Sequence, residues 1–139
     1  MSSFRWSMRE LVRLLSGNAP SRYRQHKPLD SQKRAIRLLM ENMSPKQRAE
    51  YGRRKRFEVV GGDTGWRYRI HHGNQMNIEQ LDKEGRRVSV LCFTPQGDLA
   101  VGDVMLAQKI ALELFETDAI KIANTIMLSH CAEHGGLVR

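Results

Sequence analysis

The chain reads as an α+β fold: N-terminal helices, a four-stranded antiparallel β-meander, and one or two C-terminal helices on one sheet face. Three observations predict it. Four short apolar runs separated by glycine-bearing turns lie between Phe57 and Phe93. An apolar stripe of helical period follows from Val104, and helix-spaced apolar residues with start and stop signals precede Arg56. With 139 residues, 40% hydrophobic and 27% charged, the chain is long enough for one ordinary core and has a globular composition.

From the N-terminus, Phe4, Met8, Leu11, Val12 and Leu15 lay one apolar stripe along a helix of about three turns, with Arg5, Arg9 and Arg13 in a parallel row. Gly17, Asn18 and Pro20 stop it. A helix this short needs a surface to dock on. Residues 18–28 form a polar linker, after which Asp30 or Ser31 caps a second helix. Its inward face is Ile36, Leu39, Met40 and Met43, and its other face carries Lys33, Arg34 and Arg37. Ser44 followed by Pro45 predicts a third helix over 45–54, a cap residue and then a proline at the first helical position. That helix runs out into Arg53, Arg54, Lys55 and Arg56.

The meander starts at Phe57. Gly61-Gly62-Asp63-Thr64-Gly65 is a hairpin connection, and with no helix or Lys-Ser/Thr after it the loop is a turn and not a phosphate cradle. Strict alternation in the next strand puts Trp66, Tyr68 and Ile70 in the core and Arg67, Arg69 and His71 on the opposite face. Gly73-Asn74 turns the chain into a third strand, Met76–Leu81, and Asp82–Gly85 is a second hairpin turn. Val88–Phe93, the most continuous apolar run, is expected to be the central strand, covered on both faces. Asp103 caps the helix that follows, with Val104, Ala107, Ile110, Ala111 and Leu114 inward. Thr117 and Asp118 either cap a separate helix through Leu128 or ride inside one long helix, with Ile120, Ala123, Ile126 and Met127 continuing its apolar face. The tail from His134 to Arg139 is expected to fray.

Charge divides the molecule. Residues 1–56, a basic helical region, hold 15 Lys+Arg against 4 Asp+Glu; residues 57–139, the meander and C-terminal helix module of the same compact domain, hold 8 against 11. The net charge of +8 therefore sits in the first part. Such a division offers the basic half to nucleic acid, an acidic protein or an anionic membrane surface. No run reaches the roughly 20 apolar residues of a membrane span. Two cysteines and no signal peptide point to the cytoplasm; the Arg-rich, acid-poor residues 1–27 also fit an organelle transit peptide.

Four segments, Phe57-Glu-Val-Val-Gly, Thr64-Gly-Trp-Arg-Tyr-Arg-Ile70, Leu91-Cys-Phe-Thr-Pro95 and Gly102-Asp-Val-Met-Leu-Ala-Gln-Lys-Ile-Ala-Leu-Glu113, together resemble a group of short bacterial proteins with no activity attached. The resemblance covers about residues 44–124. It implies a bacterial setting and a self-contained C-terminal module, and leaves residues 1–43 outside it.

The chemistry in the sequence favours binding over catalysis. Four consecutive cations, Arg53 to Arg56, repel one another unless solvent or an anion screens them, and a phosphate backbone would do so with release of counterions. At a helix C-terminus the same residues also complement the dipole. The first expectation is a non-catalytic, sequence-nonspecific nucleic-acid-binding protein using Arg53, Arg54, Lys55, Arg56, Lys33, Arg34 and Arg37, with Arg67 and Arg69 as a second row. The second is an assembly subunit whose basic arm and Phe4–Leu15 stripe grip an acidic protein partner. An enzyme comes third, because Asp63, Asp98 and Asp103 sit at turns and caps, and His71 and His72 have no nucleophile nearby in sequence. A zinc site from His130, Cys131 and His134 with Cys92 has workable i, i+4 spacing but lacks a second Cys-x-x-Cys half. Cys92 itself reads as a buried, inert thiol, and no cofactor is implied.

Overall fold

A computed structural model describes residues 29–128. The elements run α1 (Leu29–Glu41), α2 (Pro45–Arg54), β1 (Arg56–Val60), β2 (Arg67–His71), β3 (Ile78–Leu81), β4 (Arg87–Cys92), α3 (Val101–Leu114), α4 (Glu116–Ile122) and β5 (Asn124–Met127). The fold is α+β. The expected helix from Phe4 to Leu15, the linker up to Pro28 and the cluster His130, Cys131 and His134 lie outside the described residues.

Alternation along the strands builds the core. Phe57, Ile70, Ile78 and Leu91 stand opposite one another across β1 to β4, and all four side chains are buried. Leu39 of α1, Met43, Tyr51 of α2, Met105, Ala111 and Leu112 of α3, and Ala119 of α4 close over this row in one cluster. Each large apolar side chain buried in this way stabilises the fold by about 2 kcal/mol. Helix α3 lies deepest. Residues from Val104 to Lys109 are all buried, because α3 has sheet on one side and α1 on the other. Gly102 makes that double contact possible: a Cβ there would overlap the backbone of Ala35 and Ile36 in α1.

Helix α2 is the locally specified element. Ser44 accepts the Gln47 amide at 3.2 Å while the Gln47 side chain accepts the Ser44 amide at 3.0 Å, and Pro45 occupies the first turn. Lys55 ends the helix in the left-handed conformation, its amide bonded to the Tyr51 carbonyl, and the chain turns straight into β1.

Several expectations are corrected. The sheet has five strands in the order β1-β2-β3-β4-β5, not four. The fifth comes from residues expected to prolong the last helix: α4 stops at Ile122, and Asn124–Met127 pairs antiparallel with β4. Thr125, Ile126 and Met127 fit either period, and the open side of β4 decides between them. Val88–Phe93 therefore lies between β3 and β5 and is not central, and among the described residues helices pack on one sheet face only. β3 begins at Ile78, two residues late, because Met76 has a positive φ of 52° and Asn77 turns its amide inward. That amide pairs reciprocally with Gln108 of α3, at 2.9 and 3.0 Å. Trp66 is 44% exposed, since β2 begins only at Arg67 and Trp66 belongs to the hairpin loop ahead of it. Leu114, expected inward, is also exposed, and Ile110 is half-buried. Asp103 lies in the first turn of α3 and not at its cap; Ala100 is the cap, and Gln32 of α1 accepts the Val101 amide at 3.2 Å. Asp30 and Ser31 likewise fall inside α1 and not ahead of it.

Candidate polyanion-binding surface

The run Arg53 to Arg56 straddles the α2–β1 junction, where one residue of left-handed backbone at Lys55 separates a helix end from a strand start. Arg53, Arg54 and Lys55 are exposed and Arg56 is half-buried. Lys55 Nζ lies 5.0 Å from the Tyr51 ring centroid, a cation–π contact that leaves its charge uncompensated. Among the described residues none of the four makes an ion pair with a carboxylate.

Arg53, Arg54 and Arg56 line a shallow cleft of about 160 Å³ together with Glu50, Phe57, Glu58 and Arg69. That is below the roughly 300–1,000 Å³ of a pocket for a whole small molecule. It has room for one anionic group of something larger. The two carboxylates in the cleft are committed elsewhere. Glu50 accepts the Glu58 amide at 3.1 Å, and Glu58 bridges Arg67 at 3.3 Å and Arg69 at 3.2 Å.

Arg67 and Arg69 are thus placed differently from the run. They belong to a cross-strand ladder on the polar face of the sheet, where Glu58, Arg69 and Glu79 stand in register on β1, β2 and β3. Glu79 takes Arg69 at 3.4 Å, His71 at 2.9 Å and Arg87 at 3.3 Å. Burial alone would raise the Glu79 pKa, but His71, Arg69 and Arg87 outweigh it and hold the carboxyl below its usual range. Opposite charges facing one another across strands stabilise the sheet and cancel its field.

The α1 cations lie beside a second feature. Lys33 and Arg37 border an open groove with Ile36, Met40, Glu41 and Arg48, while Arg34 turns to the Ser31 hydroxyl at 3.4 Å. Arg48, which nothing in the sequence singled out, donates from Nε to the Met40 carbonyl at 3.1 Å and from Nη2 to the Met43 carbonyl at 3.4 Å. It satisfies the carboxyl end of α1 from the next helix.

Glu116 is a buried carboxylate. Glu116 accepts the amides of Asp63 at 2.9 Å and Thr64 at 2.7 Å, the Tyr68 hydroxyl at 2.6 Å, and the Thr64 hydroxyl. Asp63 returns the contact by accepting the Thr117 amide at 2.8 Å. The glycine loop does cradle an anion, but that anion is a carboxylate of the same chain. Burial works to raise the Glu116 pKa, and the four donors more than offset it, so the carboxylate is a weak base and does not activate Thr64. Tyr68 is pushed the other way, by burial first and then by the Glu116 charge. Gly61 and Gly62 are required because side chains there would overlap the Glu116 carboxyl and the Glu113 carbonyl.

Of the zinc candidates only Cys92 falls among the described residues. It is half-buried, not buried, with Sγ turned to the Phe93 carbonyl at 3.8 Å, and no group of three metal-ligating side chains occurs among the described residues. No described helix is long and apolar enough to cross a membrane. Comparison with protein-family models, curated proteins and solved structures finds no match for the chain.

Proposed function

We propose that this is a non-catalytic protein that binds nucleic acid without sequence preference, through Arg53, Arg54, Lys55 and Arg56 at the α2–β1 junction. The observation that supports it is a run of four consecutive cations, three exposed and Arg56 half-buried, with the nearby carboxylates already engaged by other groups. Unmatched positive charge in one place attracts a polymer of phosphates, and the single-group size of the cleft suits a backbone contact and not base reading. Lys33 and Arg37 on α1 border a separate groove and stay outside this surface. Arg67 and Arg69, matched inside the sheet ladder, do not enter it.

Fluorescence anisotropy of a labelled duplex and a labelled single strand, titrated with the full chain across a salt series, tests the proposal. The logarithm of the affinity falls linearly with the logarithm of salt, and the triple variant R53Q/R54Q/R56Q flattens that slope by about one unit per lost phosphate contact. No measurable binding at about 100 mM salt, or a slope unchanged in the variant, sinks it.

A further inference from the structure

We infer that the groove between α1 and α2 is a docking site for an acidic amphipathic helix of a partner protein. The site is distinct from the arginine cleft and is made wholly by these two helices, with a volume of about 490 Å³. Its floor is Ile36 and Met40, spaced i, i+4 on α1, so both point to one side. Both lean on the core without being buried by it. One wall is Lys33 and Arg37, again i, i+4, parallel to the floor and exposed. The other is Arg48, whose guanidinium is pinned across the end of α1 by two carbonyls. Three cations thus rim an apolar strip, against the one acid Glu41.

That arrangement decides the occupant. The strip from Lys33 to Met40 spans about 10 Å of helix, two turns, which accommodates two or three apolar anchors at i, i+3/i+4, i+7 of a helix laid along it. Acidic residues flanking those anchors meet Lys33 and Arg37 on one side and Arg48 on the other. The repulsive part matters as much: a basic segment, such as residues 4–15 with Arg5, Arg9 and Arg13, or the same groove on a second copy, brings like charges onto this rim. A nucleic-acid backbone satisfies the rim but leaves Ile36 and Met40 uncovered. Met40 suits a site that adapts to more than one sequence, since its side chain repacks at low cost.

The test is a display selection of helical 16-residue peptides with randomised faces against the full-length protein, followed by anisotropy of one enriched peptide at about 150 mM salt. Enriched peptides are expected to alternate apolar i, i+3/i+4 anchors with Asp and Glu on both flanks, and to bind at least about tenfold more tightly than a scrambled peptide of the same composition. Because Lys33 and Arg37 are exposed, K33E/R37E keeps the fold and weakens the enriched peptide about tenfold or more, while M40Q weakens it at unchanged net charge. R53Q/R54Q/R56Q leaves it bound, which separates this site from the proposed nucleic-acid surface. Enrichment of basic or uncharged peptides overturns the inference, as does scrambled peptide binding equally well. So does displacement of the peptide by a 20-base-pair duplex at equal concentration, or a self-association lost in K33E/R37E.

Discussion

At the scale of the residue, Glu116 ties together segments that the chain keeps far apart. Its carboxylate takes four donors from the β1–β2 loop and β2, and Asp63 in that loop takes one from the start of α4. The hydrogen bonds depress its pKa in the folded state despite burial. The contribution to stability is therefore complete above the unfolded carboxyl value of about 4.3, and is lost as pH falls through the lower folded value. E116Q exchanges an acceptor for an amide facing two amides. It should cost about 2 kcal/mol or more at pH 7, and the gap to wild type should narrow as both proteins are titrated toward pH 3. Urea denaturation at the two pH values reads this; an equal gap at both would show that the charge is not what Glu116 contributes. Asp63 was legible as a loop carboxylate with a structural use, since it stands in a glycine-bearing turn. Its partner Thr117 was not, since no local pattern links residues 54 positions apart.

At the scale of the element, legibility followed locality. The boundaries of α2 were readable from Ser44, Pro45 and Gln47, because a capping box is closed by neighbours in sequence. β5 was not readable: its residues suit a helix equally well, and the selection is made by a strand more than thirty residues earlier. Met76 failed for a related reason: its backbone turns to a positive φ just before Asn77, whose side chain is held by Gln108 on another element. The α1–α3 contact shows the same limit, for Gly102 looks in sequence like an indifferent residue near a helix start. Its role gives a direct expectation. G102A should destabilise the protein by about 1–3 kcal/mol in chemical denaturation, by pushing α1 off α3, even though alanine is the better helix former. A variant as stable as wild type would mean that the two helices separate at little cost.

For the whole molecule, the distribution of charge matters more than its total. Residues 29–56 carry nine cations against three acids, and residues 57–128 carry seven against ten. In the second segment Arg67, Arg69, Arg86, Arg87, Lys109 and Lys121 all pair with carboxylates there. The acidic module spends its negative charge on its own cations, which leaves the α1–α2 surface basic. The asymmetry was legible from counting; the division between matched and unmatched arginines was not, because it depends on strand register. R67Q/R69Q should lower stability by about 1 kcal/mol while changing duplex affinity less than about twofold, the reverse of R53Q/R54Q/R56Q. Parallel denaturation and anisotropy measurements distinguish the two pairs of effects, and a large loss of affinity in R67Q/R69Q would return the sheet to the binding surface. The late strand carries a final implication, for synthesis and storage. Until Asn124–Met127 has left the ribosome and docked, β4 presents a naked hydrogen-bonding edge with Leu91 behind it, and any clipped or partly unfolded copy does the same. Aggregates of this protein should therefore be seeded by copies that have lost that one short strand, long before the helices let go.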